Sequence, residues 1–329
     1  FTCGGSKRVK DKTIRCWKDG GHGTQVLKDT LANSCNVAMM DIGALIGTDM
    51  FRKYFEAYGF MDKTGIDMPG EATGIFFDNM GEVDLATASF GQNFQVTPLQ
   101  ELCMVSAVAN DGKLVTPHVV REIVDADGNI QQTMDTQVKR QVISKQISDK
   151  MNNYLENVVS QGTGQNAYVA GYRVGGKTAT SEKQPKSNKK LRIASFIGLA
   201  PMDDPQYAVL VMVDEPQTDN KGGAVAAPVV ARIFEDILPY LGVEAVYSDE
   251  EADRQEITVP TLTGQSVDDA KKALDDLGVD YTVKGDGKKV TDQLPVAGIS
   301  VQPDNKIVLY CGEKKPTDKV KVPDVSGMS

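Results

Sequence analysis

Between residues 26 and 58 the apolar positions recur at a helical period, broken once at Asn33-Ser34-Cys35-Asn36. After the break, Val37, Met40, Ala44 and Leu45 share one helical face, and a further helix is expected over Thr48 to Tyr58. A loop rich in Gly, Pro and Asp then leads to Thr97-Pro98, where a capping hydroxyl and a first-turn proline, with Glu101 beyond them, start a helix that runs to about Ala109. That segment is apolar on nearly every side, which predicts burial. Residues 113–133 have strand composition, with Asp127-Gly128 suited to a hairpin turn. A helix is expected from about Asp149 to Ser160. Strands follow around Lys177, over 191–200 and over 207–214, the last two joined by the turn Pro201 to Pro205. Val229, Val230, Ile233, Phe234, Ile237 and Leu238 mark a final helix, about Ala226 to Leu241. Helices on an antiparallel sheet in mixed order give an α+β or α/β sandwich.

The pattern changes at 247–256, where apolar residues nearly vanish and an acidic linker is expected. A small unit occupies 257–312: an opening Val259-Pro260, then Gly264-Gln265-Ser266, an amphipathic helix carrying Val267, Ala270, Ala273, Leu274 and Leu277, a turn at Gly278, and strands near 279–284 and 306–311. Residues 313–329 form a linker and the start of a second copy, since Val322-Pro323 and Gly327-Met328-Ser329 repeat the opening in register.

Composition narrows the function classes. The 329 residues suffice for about two domains. A net charge of −9 argues against a broad nucleic-acid surface. No apolar run approaches the roughly 20 residues of a membrane span. The chain begins at Phe1 without an initiator Met, so a longer parent with an anchor elsewhere is expected. Five cysteines cannot all pair internally. Cys103 and Cys311 stand in apolar sequence and read as small core residues.

Two groups of residues carry candidate chemistry. Gly175-Gly176-Lys177-Thr178-Ala179-Thr180-Ser181 precedes the strand Arg192 to Gly198, and a strand edge of that composition offers a cation, hydroxyls and free N–H groups to an anionic, peptide-like substrate. Cys3, Cys16, Asp19 and His22 lie in a Gly-rich segment able to fold around an ion. Two thiolates, an imidazole and a carboxylate suit tetrahedral Zn²⁺, with Cys35 as the alternative fourth ligand should Asp19 point outward. A Cys3–Cys16 disulfide is the rival reading, and free thiols are the third. His118, beside Pro117, reads as a surface or packed histidine.

These motifs, in this order, resemble the class B penicillin-binding proteins, the serine D-Ala-D-Ala transpeptidases of cell-wall synthesis. Ser34-Cys35-Asn36 is similar to the family's Ser-x-Asn. Phe90-Gly91-Gln92 with Val96-Thr97-Pro98-Leu99-Gln100 is similar to a segment of the same class, and Lys177-Thr178-Ala179 stands where the family has Lys-Thr/Ser-Gly. Residues 1–246 look like the C-terminal portion of the transpeptidase domain, residues 257–312 like a PASTA repeat, and the segment around Cys3 and Cys16 like the family's sporulation-specific branch. The resemblance implies serine acyl transfer between peptidoglycan stem peptides, inhibition by β-lactam antibiotics, an extracytoplasmic place and a membrane glycosyltransferase partner. It implies that Ser34 relays a proton, that Asn36 holds the substrate amide and that Lys177 supplies positive potential. Thr178 and Thr180 would bind the terminal carboxylate, and the Thr180 N–H would form half of the oxyanion hole. Ala179 departs from the family's Gly and adds a methyl at the closest approach of ligand to backbone. The family's nucleophile sits in Ser-x-x-Lys, a spacing met here by Ser187-Asn188-Lys189-Lys190 in a polar loop, so the acylated serine is expected upstream of Phe1. A wall-binding module or scaffold without turnover is the alternative reading.

Overall fold

A computed structural model describes residues 1–315 apart from 78, 184–190, 218, 253–256 and 302–304. The chain divides into two compact units, Phe1–Ala245 and Val246–Ser329. The repeat beginning at residue 320 lies outside the described residues.

The first unit is organised by an antiparallel sheet of β1 (Gly175–Glu182), β2 (Arg192–Ala200) and β3 (Tyr207–Asp214), with β2 in the middle. Side chains alternate across a strand. Phe196 and Ala200 therefore enter one cluster, and Ile197 and Leu199 another. Both faces of β2 are covered, as its unbroken apolar run requires. On the first face lies the helix Ala227–Tyr240, whose Val230, Phe234 and Leu238 are fully buried. It approaches so closely at Gly198 that an added Cβ would stand 2.6 Å from Val230 Cγ1. On the second face pack Val105, Val108 and Ala109 of the helix Pro98–Ala109, and Leu155 of the helix Lys145–Gln161. Helices on both faces of the sheet give an α+β sandwich.

Several local readings need correction. The helix Asn36–Ile46 buries Val37, Ala38, Met40 and Gly43, whereas Leu45 is 80% exposed and Ala44 is exposed too. The cause is Gly43, which lies against Ser89 and turns that face toward a helix, Glu82–Ala88, within the stretch read as loop. The helix expected from Asp149 begins at Lys145, because Ser144 caps it by accepting from Ile147 N. Thr97 caps as expected, and the partner that closes the box is Gln100, whose side chain is among the most buried polar groups. Residues 1–25 hold four short strands.

In the second unit the helix Val267–Asp276 packs Ala270 and Leu274 into a core with Val259, Leu262, Ile307, Leu309 and Cys311. Strand Ile307–Tyr310 lies between Tyr281–Lys284, parallel to it, and Asp292–Leu294, antiparallel. Gln293 is buried at its centre with both ends of its amide satisfied: Oε1 accepts from Leu262 N, and Nε2 donates to Pro260 O.

Truncating Phe234 removes the ring that seals one sheet face. Phe234→Ala is expected to cost about 3–5 kcal/mol, while Tyr240→Ala at a position 88% exposed stays within about 0.5 kcal/mol. Urea unfolding of the two variants checks this.

Candidate active site

The short helix Leu27–Ala32 ends at a tight turn before the helix that starts at Asn36. Ser34 occupies that turn with φ 49°, a left-handed conformation that costs a non-glycine residue of order 1–3 kcal/mol. Backbone bonds hold it there: Ser34 N donates to Leu31 O, and Cys35 N to Thr30 O. From the outside, the indole N–H of Trp17 is shared between Asn33 O and Ser34 O, at 3.0 Å from each.

Lys177 reaches the same turn from β1. Its Nζ donates to Ser34 Oγ at 2.9 Å, to Thr178 O at 2.9 Å and to Thr178 Oγ1 at 3.4 Å. An ammonium has three protons, and three acceptors surround this one. No carboxylate pairs with it among the described residues. The residue as a whole is half-buried, yet its ammonium lies deep in the protein, and desolvation lowers its pKa from 10.5 to about 8.

Thr178 Oγ1 lies 2.9 Å from Thr163 Oγ1, and Thr163 donates to Ala32 O both from its backbone N at 2.9 Å and from its hydroxyl at 3.2 Å. Farther along the strand, Thr180 Oγ1 accepts from Gly222 N at 3.3 Å, and Thr180 O accepts from Gln92 Nε2 at 3.3 Å. Ala179 is exposed on the strand. Ser34, Lys177 and Thr178 thus converge, with Ala179 and Thr180 on the same strand. Asn36 does not join them. As the first residue of its helix it faces the N-terminal hairpin, and its Nδ2 donates to Arg15 O at 3.2 Å. The Ser187 to Lys190 match lies outside the described residues. His118 is bonded through Nδ1 to Val120 O and takes no part.

A second cluster sits directly behind the Ser34 turn. Ligand atoms of Cys3, Cys16, His22 and Cys35 all lie within 4.8 Å of one another. Asp19 is exposed and is not a member. The pairing Cys3↔Gly23 and the bond from Cys16 N to Gly5 O fold the loop over Cys35 at the helix start, leaving Asp19 at the outer tip of the turn from Lys18 to Gly21. Cys35 therefore replaces Asp19 as the fourth member. All five cysteines are free thiols, so Cys3 and Cys16 are not bridged.

Electrostatics push the members of this cluster in different directions. Burial raises the Cys35 pKa to about 11. Burial also pushes the Cys3 thiol up, but hydrogen bonds from the backbone at Gly5 and His22, and with Cys35 and Cys16, outweigh it and leave the pKa below the ordinary thiol value. Burial, and secondly Lys18, lower the pKa of His22 and favour a neutral imidazole. His22 Nδ1 lies 3.5 Å from Cys16 Sγ, while its Nε2 is buried without a hydrogen-bond partner. Three cysteine sulfurs and one imidazole, whose Nε2 lacks a partner, fit a tetrahedral Zn²⁺ donor set.

The family model of the penicillin binding protein transpeptidase domain matches residues 1–235. The chain belongs to that family. A second model, the PASTA domain, matches residues 257–313. The transpeptidase-family chain is 43% identical over 324 residues to Stage V sporulation protein D of Bacillus subtilis, covering 94% of this chain and 49% of that relative. It is 29% identical to penicillin-binding protein PbpB of Mycolicibacterium smegmatis, covering 72% of this chain and 38% of the relative. It thus spans half or less of the length of these curated relatives. Among solved structures, penicillin binding protein 3 from Mycobacterium tuberculosis complexed with ampicillin matches with a TM-score of 0.68 and 26% identity, over 76% of this chain and 58% of that one. The transpeptidase domain of Burkholderia pseudomallei penicillin-binding protein 3 gives a TM-score of 0.65 and 30% identity, over 74% and 72%.

Three contributors escaped the sequence reading. Thr163 was hidden in Gly162-Thr163-Gly164, where two glycines around one hydroxyl were the available signal. Trp17 is the single tryptophan of the chain, and its indole bonds the turn from outside. Gln92 lies in the segment similar to the family's, and its role is the bond to Thr180 O.

The Lys177 pKa has a consequence for stability. A group whose folded pKa of about 8 lies below its unfolded value of 10.5 gives full stability above 10.5 and loses it as pH falls through 8. Lys177→Met removes the titration, so its stability relative to the parent should be more favourable at pH 7 than at pH 10. Urea unfolding at both pH values checks this, and a difference independent of pH would mean a solvated ammonium.

Proposed function

We propose that this chain contributes the proton-handling and carboxylate-binding side of a peptidoglycan D,D-transpeptidase active site that β-lactams also occupy. The observation that carries the reading is the hydrogen bond from Lys177 Nζ to Ser34 Oγ, which joins residues far apart in sequence at one strand edge. In the reaction a serine oxygen attacks the carbonyl between two D-Ala residues, and the C–N bond breaks as the departing amine takes a proton. A stem-peptide amine then attacks the acyl carbon and restores the serine. The family's Ser-x-x-Lys pair has no counterpart among the described residues, and the whole protein's turnover belongs to this proposal.

Two features suit the residues here to that chemistry. Ser34 Oγ accepts from Lys177, so its own proton is free to point away from the ammonium toward a leaving amine. With a pKa near 8, Lys177 can also give up or regain a proton near neutrality, which lets the pair relay in either direction. Asn36 donates to Arg15 O with one proton of its Nδ2, and its Oδ1 is the acceptor it can offer to a substrate N–H. Kinship with a sporulation protein over nearly the whole chain supports a place in spore-wall synthesis. We assign the chain to the extracytoplasmic side, with a membrane glycosyltransferase as the partner that supplies glycan strands. No helix among the described residues is long and apolar enough to cross a membrane.

The cluster of Cys3, Cys16, His22 and Cys35 is proposed to hold a structural Zn²⁺, fastening the N-terminal hairpin to the helix start next to Ser34. Elemental analysis should find about one zinc per chain. Cys35→Ser should lower that content and Asp19→Asn should leave it unchanged. Equal zinc in both variants, or none in the parent, would remove the site.

Fluorescent penicillin labelling of the full-length protein tests the catalytic reading. The parent should take one covalent label, and Lys177→Ala should slow labelling by about 10²-fold or more. A parent that never labels would favour the scaffold reading.

A further inference from the structure

Thr163 is held more tightly than a loop threonine needs to be. A Cβ added to Gly162 would lie 2.5 Å from Ala32 O, and one added to Gly223 would lie 2.4 Å from Thr163 O and 3.2 Å from Thr178 Cγ2. Asn166 Nδ2 fixes Gly223 by donating to its carbonyl at 2.8 Å. Glycines on both sides therefore let the segment come close enough for Thr163 Oγ1 to meet Thr178 Oγ1 at 2.9 Å.

Each hydroxyl has one proton to give. Thr163 Oγ1 is bonded to Ala32 O, which can only accept, and to Thr178 Oγ1, which in turn faces the Lys177 ammonium at 3.4 Å. The arrangement that satisfies all of them runs one way: Lys177 donates to Thr178, Thr178 to Thr163, and Thr163 to Ala32 O. In that state Thr178 has no proton left for an anion.

Reversal costs little, because Ala32 O keeps its bond from Thr163 N at 2.9 Å when the hydroxyl, at 3.2 Å, turns away. Thr163 then donates to Thr178, and Thr178 donates outward, with no buried acceptor orphaned.

We propose that Thr163 is a positioning residue that sets the direction of the Thr178 hydroxyl, turning its proton from Thr163 outward to the ligand when a carboxylate enters beside β1. The inference rests on the transpeptidase reading above and deepens it.

The test compares acylation rates of the full-length protein, Thr163→Val and Thr163→Ser with a penicillin and with its neutral methyl ester, each read by competition with a fluorescent penicillin. Thr163→Val should slow the free acid by about 3–10-fold relative to the parent, the worth of one hydrogen bond. It should leave the ester rate within about twofold, and Thr163→Ser should restore the acid rate. A loss shared equally by acid and ester would indicate scaffold damage and overturn the inference. So would an unaffected Thr163→Val beside a normally labelled parent. A parent that takes no label overturns the transpeptidase reading itself and this inference with it, so the two failures are distinguishable.

Discussion

A buried ammonium that no carboxylate among the described residues pairs with is the constraint around which the first unit is arranged. Placing a charge away from water costs several kcal/mol, and here three oxygens offset it: a side-chain hydroxyl from the Ser34 turn, and the carbonyl and hydroxyl of Thr178. Two of these acceptors are on β1 itself. The third must be delivered from more than a hundred residues away, and so the sheet and the Ser34 turn must hold a fixed relation. Close approach of strands and helices provides it. At Gly176 an added Cβ would stand 2.3 Å from Ile197 O, and at Gly222 one would stand 2.0 Å from Ser195 O, so the backbone beside the site packs with no room for side chains.

The turn that carries Ser34 needs support of its own, since its left-handed backbone is strained. That support comes from the N-terminal lobe. Trp17 bonds the carbonyls of Asn33 and Ser34 from one side, and its ring meets His22 edge-on at 5.3 Å. Cys35, next in sequence to Ser34, is fully buried among Cys3 and Cys16. Lys7 pairs with Asp41 on the following helix. The lobe thus grips both flanks of the strained residue, which explains how a small segment with little apolar surface can govern the position of one hydroxyl.

Legibility in the sequence followed the range of the interactions. Period and capping gave the sheet strands and the helices at Pro98 and Ala227, because those signals are local. The order of motifs gave Ser34 and Lys177 as a pair. What could not be read was orientation. The face of the helix Asn36–Ile46 is decided by Gly43 against Ser89, a contact between elements, so Leu45 looked like core and is exposed. The choice between Asp19 and Cys35 depended on where the turn from Lys18 to Gly21 points, which spacing by three residues does not fix. Asn36, expected to hold a substrate amide, bonds Arg15 O, a partner supplied by a hairpin that periodicity does not predict. Thr163 belongs to the same class: its importance comes from Ala32 and Thr178, neither of them a sequence neighbour.

The departure at Ala179 follows from the same geometry. Along β1, Lys177 and Ala179 fall on one side and Thr178 and Thr180 on the other. Thr178 and Thr180 have side-chain partners within the protein, Thr163 and Gly222 N, whereas Ala179 is exposed. Its methyl therefore projects from the strand without disturbing the hydroxyl network, and the sheet register Ser195↔Ala179 is kept. A glycine there would leave bare backbone for a ligand to approach. With alanine the fold loses nothing, and the consequence is confined to how closely a flat acyl group can lie along the strand.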